Sequence, residues 1–337
     1  MAYIKLNKSN FFNNLDIIAK QTKAVDKIAL VLKDNAYGHG LLEVAQMASE
    51  YGIAEAVVRS EEEARAISKL FRRILILADL PKRAEANFVY TINDLECIAK
   101  MPRGVSVELK VDSGMHRNGV SASEIEKAFE LIDDADLDLV GVFTHHRCAD
   151  ELSSEWFWQE KNFSLAVEKA RRLSRSKLRF HSSNSAALFR HSDFNGDLAR
   201  VGIAAYGCLE MPEALKVSGL KPVLSLWASK NSSRHLLSGS RVGYGGEGEV
   251  SSNKGEVVSN YDFGYADGFF RSNAKSEFRS ACGAKLVGRI SMDNSSFETD
   301  DEEICVFDDA SKVAKNAKSI SYEILTALKP HLKRVVV

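Results

Sequence analysis

Residues 28–40, IALVLKDNAYGHG, open with an apolar run that ends on a lysine. Ile28–Leu32 reads as a short buried strand. Lys33 closes it, and a polar turn with Asn35, Tyr37, Gly38, His39 and Gly40 follows. An unpaired ammonium is costly to desolvate, so a lysine at the end of a buried run needs a reason. Its stem can pack while its head snorkels to water. Alternatively, a partly desolvated amine of lowered pKa acts as a nucleophile toward an aldehyde.

The same pattern recurs downstream. Strand-like runs lie at 54–58, 73–77, 87–91, 105–112, 138–144, 178–182 and 198–206, with helical patterns between most of them. SEEEARAISKLF carries a serine cap followed by acids in its first turn, which predicts a helix. SASEIEKAFELI and EKNFSLAVEKARRLS have apolar residues at helical spacing. Short apolar strands alternating with helices imply parallel pairing. Eight of them predict a closed (β/α)8 barrel of the TIM type. After about residue 220 the pattern changes. VLSLWASKNSS, KGEVVSNYDFG, KLVGRISMDNSSFE and EEICVFDD are short strand-like runs separated by Gly, Ser and Asp. They predict a mostly-β C-terminal domain over 221–337, joined to the barrel of 1–220 by EMPEALKVSGLKP.

A chain of 337 residues suits one large barrel plus a smaller domain. Apolar residues make up 45% and charged residues 27%, the balance of a soluble globular protein. The net charge of −1 points to neither nucleic acid nor an anionic membrane surface. The first residues have no apolar core of a signal peptide, and no run approaches the roughly 20 apolar residues that span a bilayer. Cys97, Cys148, Cys208, Cys282 and Cys305 are scattered, so neither a disulfide framework nor a zinc site is indicated. The cytoplasm is the expected location.

In such a barrel, active sites sit at the C-terminal ends of the strands. Lys33, Lys110, Asp112, His145, His181, Arg200 and Gly202 all fall at or near such ends. Pyridoxal 5′-phosphate (PLP) is the common aldehyde cofactor held by a lysine. Lys110 and Asp112 share one strand face and are able to pair; Arg117 is either a solvated loop charge or a donor to a phenolate-type oxygen. Ser182–Ser185 are N-cap candidates at a helix start, and such an N-terminus also binds phosphate. Gly202 lets the backbone approach an anion closely. In the second domain, Tyr244 and Tyr265 each sit among glycines, as in hairpin turns. The histidines show no metal-ligand spacing, and no metal site is expected.

Together these segments resemble an alanine racemase. VLKDNAYGHG is similar to the family's PLP-lysine motif. LKVDSGMHRNGV, FTHHRCADE, HSSNSAAL, ARVGIAAYG, LSLWASK, VGYGGEG, GYADGFFR and GRISMDN follow in family order, to about residue 325. The resemblance implies a PLP-dependent isomerase interconverting L- and D-alanine for peptidoglycan synthesis, as a homodimer with shared active sites. By motif, Lys33 would carry PLP and act as one base, and Tyr244 would be the second. Tyr37, Ser185, Gly202 and Ile203 would hold the phosphate. His145 would lie against the pyridine ring. Arg200, supported by His181, would face the pyridine nitrogen, and Arg117 the phenolic oxygen. Lys110 matches a lysine that is carbamylated in many members. Tyr265 and Met292 match residues that the partner contributes around the substrate.

The chain departs from the family in places. Asp34 and Arg59 stand where small residues are usual; strand alternation predicts that Asp34 points away from Lys33. THHRCADE keeps only the frame of its motif. The usual phosphate-binding tyrosine near an Arg-Val-Pro segment is absent from ALKPHLKRVVV, where Pro330 falls near its place; Tyr322 precedes that place. A racemase of broader specificity, accepting serine, and a non-catalytic PLP carrier are the alternatives. Carriers resemble the barrel alone, so the β domain with Tyr244 argues against the second.

Overall fold

A computed structural model describes residues 2–250 and 255–337; Lys254, the first residue of the expected run KGEVVSNYDFG, lies outside them. The chain begins with β1 (Tyr3–Leu6), followed by a helix, Lys8–Thr22, capped by the Asn7 side chain. The eight parallel strands are β2 (Ile28–Val31), β3 (Glu55–Val58), β4 (Arg73–Ile76), β5 (Phe88–Ile92), β6 (Ser106–Lys110), β7 (Asp138–Phe143), β8 (Arg179–His181) and β9 (Ala199–Val201). They pair in sequence order, and β9 returns to pair with β2. The gap between β8 and β9 is bridged by the Arg200 amide donating to Ser183 O at 2.9 Å. This is the expected (β/α)8 barrel. β2, β3 and β5 are buried along their whole length, as strands covered on both faces are.

The expected helices form at Glu61–Ile67, Ile125–Asp134 and Glu155–Leu173. Ser60 and Glu63 make a reciprocal capping box at the first of these. Between β4 and β5 no helix forms.

A mostly-β domain follows. β10 (Leu224–Leu236) is its long central strand. β11 (Arg241–Val242) and β12 (Gly248–Glu249) make a small hairpin. β13 (Glu256–Tyr261), β14 (Lys285–Leu286), β15 (Ser295–Glu298), β16 (Glu303–Phe307) and β17 (Lys333–Val336) complete a seven-stranded sheet with β10 and β1. Helices Ala310–Ala317 and Ser321–Ala327 lead into β17. β1 precedes the barrel, yet it pairs antiparallel with Leu224–Trp227 and parallel with Lys333–Val336. Its alternate residues Ile4 and Leu6 are fully buried there. The N-terminus thus ties the barrel to the second sheet. No described helix is long and apolar enough to cross a membrane.

Candidate active site

The turn after β2 is left-handed. Asp34, Asn35 and Ala36 have φ/ψ of 54/53°, 57/44° and 51/51°, and Tyr37 has φ 51°. An L-residue in this conformation costs about 1–2 kcal/mol, so a run of four needs external support. Asn35 Oδ1 accepts from the Leu41 amide at 2.8 Å, and Glu63 Oε1 from the Asn35 amide at 3.3 Å. Below the turn, buried His39 stacks on Tyr206 at 4.3 Å and sets Nδ1 3.0 Å from both Ala36 O and Tyr37 O. Burial pushes His39 down to about 4, so the ring is neutral and Nδ1–H is the donor. The expectation for Asp34 is overturned. Strand alternation does not extend past Lys33, and the left-handed turn brings Asp34 Oδ2 to 3.6 Å from Lys33 Nζ. Arg59 joins from the loop after β3, 3.3 Å from Asp34 Oδ1.

At one end of the mouth, Tyr37, Ser185 and Gly202 come together. Ser185 Oγ accepts from the amides of Gly202 (3.1 Å) and Ala204 (3.3 Å), which leaves its own proton to donate. A Cβ on Gly202 would lie 2.8 Å from the Tyr37 hydroxyl, so only glycine leaves this space open. Ile203 is fully buried, and among the described residues its amide has no hydrogen-bond partner. Although Tyr322 precedes Pro330 in sequence, helix Ser321–Ala327 packs its ring 5.7 Å from that of Tyr37. The fold therefore sets a second tyrosine beside this pocket.

At the other end, Arg200 is buried across the barrel. Its Nη1 donates to His181 Nδ1 at 2.5 Å, its Nη2 to Thr144 O at 2.6 Å, and its guanidinium lies 5.0 Å over Phe143. Burial lowers Arg200 to about 10, which leaves it charged at neutral pH. Lys110 is pushed down to about 8 by burial and by the charges of Arg117 and Arg200. Lys110 and Asp112 form no ion pair: the Asp112 carboxylate instead accepts from the Gly114 and His116 amides, at 2.9 and 3.0 Å. His145 falls well below its ordinary value through burial and the surrounding cations Arg200, Lys110 and Arg117. Arg117 itself is exposed.

Tyr244, Tyr265 and Met292 are not brought to Lys33 by any contact among the described residues. They stand 66%, 43% and 55% exposed on the second domain. Their loops are joined: the Tyr265 amide donates to Ser291 O at 3.1 Å, the Ala266 amide to Met292 O at 3.0 Å, and Arg289 pairs with Glu247.

Some contributors escape a reading of motifs. Glu108 and Arg179 sit inside the barrel below Arg200, and the signal was a charge within each strand-like run. Gln159 and Asn162, on helix Glu155–Leu173, hold the loops at Arg147 and Ser113 and carry no sequence signal. No group of three or more His, Cys, Asp or Glu among the described residues is placed to hold a metal ion.

The donor set suits an aldehyde cofactor bearing a phosphate. An amine stands at the mouth. An unpartnered amide, a free hydroxyl proton and a gap above glycine lie to one side, and a charged guanidinium to the other. The comparisons agree. Residues 6–210 match the family described as alanine racemase, N-terminal domain, and 223–336 match alanine racemase, C-terminal domain. The chain is 46% identical over 338 residues to an alanine racemase of a Nitratiruptor species, covering 99% of each chain. It is 42% identical to one from Campylobacter concisus, again over 99% of both. Among solved structures, it is similar to alanine racemase from Clostridium difficile 630 with TM-score 0.90 and 26% identity, covering 100% of this chain and 95% of that one. The Bacillus anthracis alanine racemase with bound L-Ala-P gives TM-score 0.89 and 25% identity, with the same coverage.

Proposed function

The chain belongs to the alanine racemase family, and on that premise we propose that Lys33 and Tyr244 are the two bases of its reaction. The reaction interconverts L- and D-alanine and depends on PLP. PLP, when bound, withdraws electron density from the amino acid and acidifies its Cα–H. The residues do the rest. Lys33 Nζ takes or returns the Cα proton on one face, and the Tyr244 hydroxyl does so on the other. Tyr37, the Ser185 hydroxyl, the backbone of Gly202 and the unpartnered amide of Ile203 would hold the phosphate. Arg200, steadied by His181, would face the pyridine nitrogen, and His145 would lie against the ring. A guanidinium there, charged at neutral pH, would leave the nitrogen unprotonated. Arg117 would contact the phenolic oxygen and the substrate. A carbamylated Lys110 would present an anion to Arg117; its lowered value supplies the neutral amine that such modification needs.

The observation that carries the reading is that Lys33, Tyr37, Ser185 and Gly202 gather at one barrel mouth, with Lys33 and Arg200 both near enough to Lys110 to depress it. Tyr244, Tyr265 and Met292, exposed together on the second domain, support a homodimer. In it, the partner subunit's Tyr244, the partner subunit's Tyr265 and the partner subunit's Met292 complete each site. We further place the domain division at 220/221 and the enzyme in the cytoplasm, where D-alanine feeds peptidoglycan synthesis.

The test uses holoenzyme with L-alanine in D2O. NMR follows loss of the Cα–H signal, and D-alanine is assayed in parallel. Exchange with D-alanine approaching an equal mixture is expected, since enantiomers have equal free energy. Exchange without D-alanine would remove Tyr244 as the second base. No exchange with alanine, but exchange with serine, would establish the broader racemase.

A further inference from the structure

The barrel interior below Arg200 is charged rather than apolar. Glu108 of β6 is fully buried, and both of its oxygens are engaged. Oε2 is 2.9 Å from His181 Nε2, and Oε1 accepts from Arg179 Nε. Arg179 reaches on to Glu55 Oε2 at 2.5 Å. A glycine makes room for the pair: a Cβ on Gly141 of β7 would lie 2.8 Å from Arg179 Cγ and 2.9 Å from Glu108 Oε1. His181 is closed in from the remaining side by Phe143, stacked at 5.1 Å with 2° between the planes.

The two ring nitrogens of His181 have opposite partners. Arg200 has only N–H groups to offer, so Nδ1 must be the acceptor. A carboxylate can only accept, so Nε2 must carry the proton. We propose that Glu108 is a positioning residue of the racemase: by accepting Nε2–H it fixes His181 as the neutral Nε2–H tautomer, and the bare Nδ1 holds Arg200 aimed at the cofactor's ring nitrogen. Arg179 and Glu55 keep Glu108 charged and in place. Burial alone would raise the Glu108 carboxyl, but the facing His181 and Arg179 outweigh it and hold it down at about 2. Burial pushes His181 to about 4 against the pull of Glu108, so the ring is neutral at working pH. This inference rests on the reading of Arg200 given above.

The arrangement makes a substitution with an opposite and reversible outcome. In Glu108→Gln, the amide oxygen is claimed by the charged Arg179, and its NH2 faces His181 Nε2. The ring must then carry its proton on Nδ1, against an Arg200 N–H. Adding Arg179→Met frees the amide oxygen to accept from Nε2 again.

The test is two-bond 1H–15N NMR of histidine rings in the cofactor-free protein, with His181 assigned from a His181→Gln variant. The parent is expected to show Nε2 protonated and Nδ1 bare at pH 7. Glu108→Gln should invert that pattern, lower kcat by about a hundredfold in the holoenzyme and alter the absorbance of bound PLP. Glu108→Gln/Arg179→Met should recover the parent pattern and at least about a tenth of its kcat. A parent with Nδ1 protonated overturns the proposal before any variant is made. So does Glu108→Gln with parental His181 signals and parental kcat. If Arg200 itself is misread, Arg200→Lys matches the parent in kcat and absorbance while the Glu108→Gln inversion still occurs, which separates the two failures.

Discussion

The barrel mouth and the exposed face of the second domain, to which the proposed mechanism assigns one base each, are built differently. Around Lys33 the groups are locked: the left-handed turn is pinned from several sides, Arg200 is buried at 6% exposure, and Ser185 at 4%. Around Tyr244 the side chains stand in the open, at 43–66% exposure for Tyr244, Tyr265 and Met292. The barrel half is finished within one chain. The second set is presented outward, as the proposed homodimer requires.

That contrast breaks most sharply on mixing. Lys33→Ala and Tyr244→Phe should each lower turnover by about a thousandfold or more. If the two halves come from different subunits, mixing the two inactive proteins through dissociation and reassociation restores activity. Random pairing puts one intact site in half of the dimers, so about a quarter of parental activity is expected. No recovery, in a mixture whose subunits exchange by mass spectrometry, would mean that each chain supplies both bases to one site.

Acid should separate the two regions next. The barrel holds His39 and His181 buried and pushed down to about 4 from 6.5, whereas His235 and His331 of the second domain are exposed. The unfolded chain protonates His39 and His181 near 6.5, the folded chain only near 4. Stability is therefore complete above 6.5 and falls as pH drops from 6.5 to about 4. For His39 alone the loss is about 3 kcal/mol, at 1.36 kcal/mol per unit. Urea melts at pH 7 and pH 5 should show about 2 kcal/mol of it, and His39→Gln should flatten the slope while lowering stability at pH 7. An unchanged slope would show that His39 protonates without breaking its contacts to Ala36 and Tyr37.

Packing gives a smaller difference. Gly202→Ala puts a methyl 2.8 Å from the Tyr37 hydroxyl, which should destabilise the barrel by about 1–3 kcal/mol and weaken PLP binding. Met292→Ala, on the exposed face, should change single-chain stability by less than about 0.5 kcal/mol yet still reduce activity. Equal losses of stability in both would deny that the two regions differ in how firmly they are held.

The sequence was most legible where one element explains itself. Most barrel strands are short apolar runs between helical patterns, and the proposed barrel site residues fall at or near the ends of those runs. Long-range pairing was not legible: nothing in Tyr3–Leu6 announces that it joins Leu224–Trp227 and Lys333–Val336 rather than the barrel. The interior charges were hidden by the same apolar runs that revealed the strands. Glu108 sits in VSVELKVD as one charge among valines and leucines, and only the facing Arg179 and His181 give it a role. Tyr322 lies ahead of Pro330 along the chain, and only the packing of its helix shows that it stands beside Tyr37.

The smallest effect concerns Asp34, where alternation failed because handedness changed. Two forces act on this residue. One is the charge contact with Lys33 at 3.6 Å and Arg59 at 3.3 Å, in which Arg59 is 67% exposed. Such exposed pairs contribute about 0–1 kcal/mol. The other is backbone: Asp34 holds φ 54°, which Asp and Asn tolerate and a β-branched residue does not. Asp34→Asn removes only the charge and should shift stability by under about 0.5 kcal/mol. Asp34→Val removes the charge and strains the turn, and should lose about 1–2 kcal/mol more. Thermal melts of the two variants distinguish the forces. If Asn loses as much as Val, charge rather than handedness holds the turn that presents Lys33.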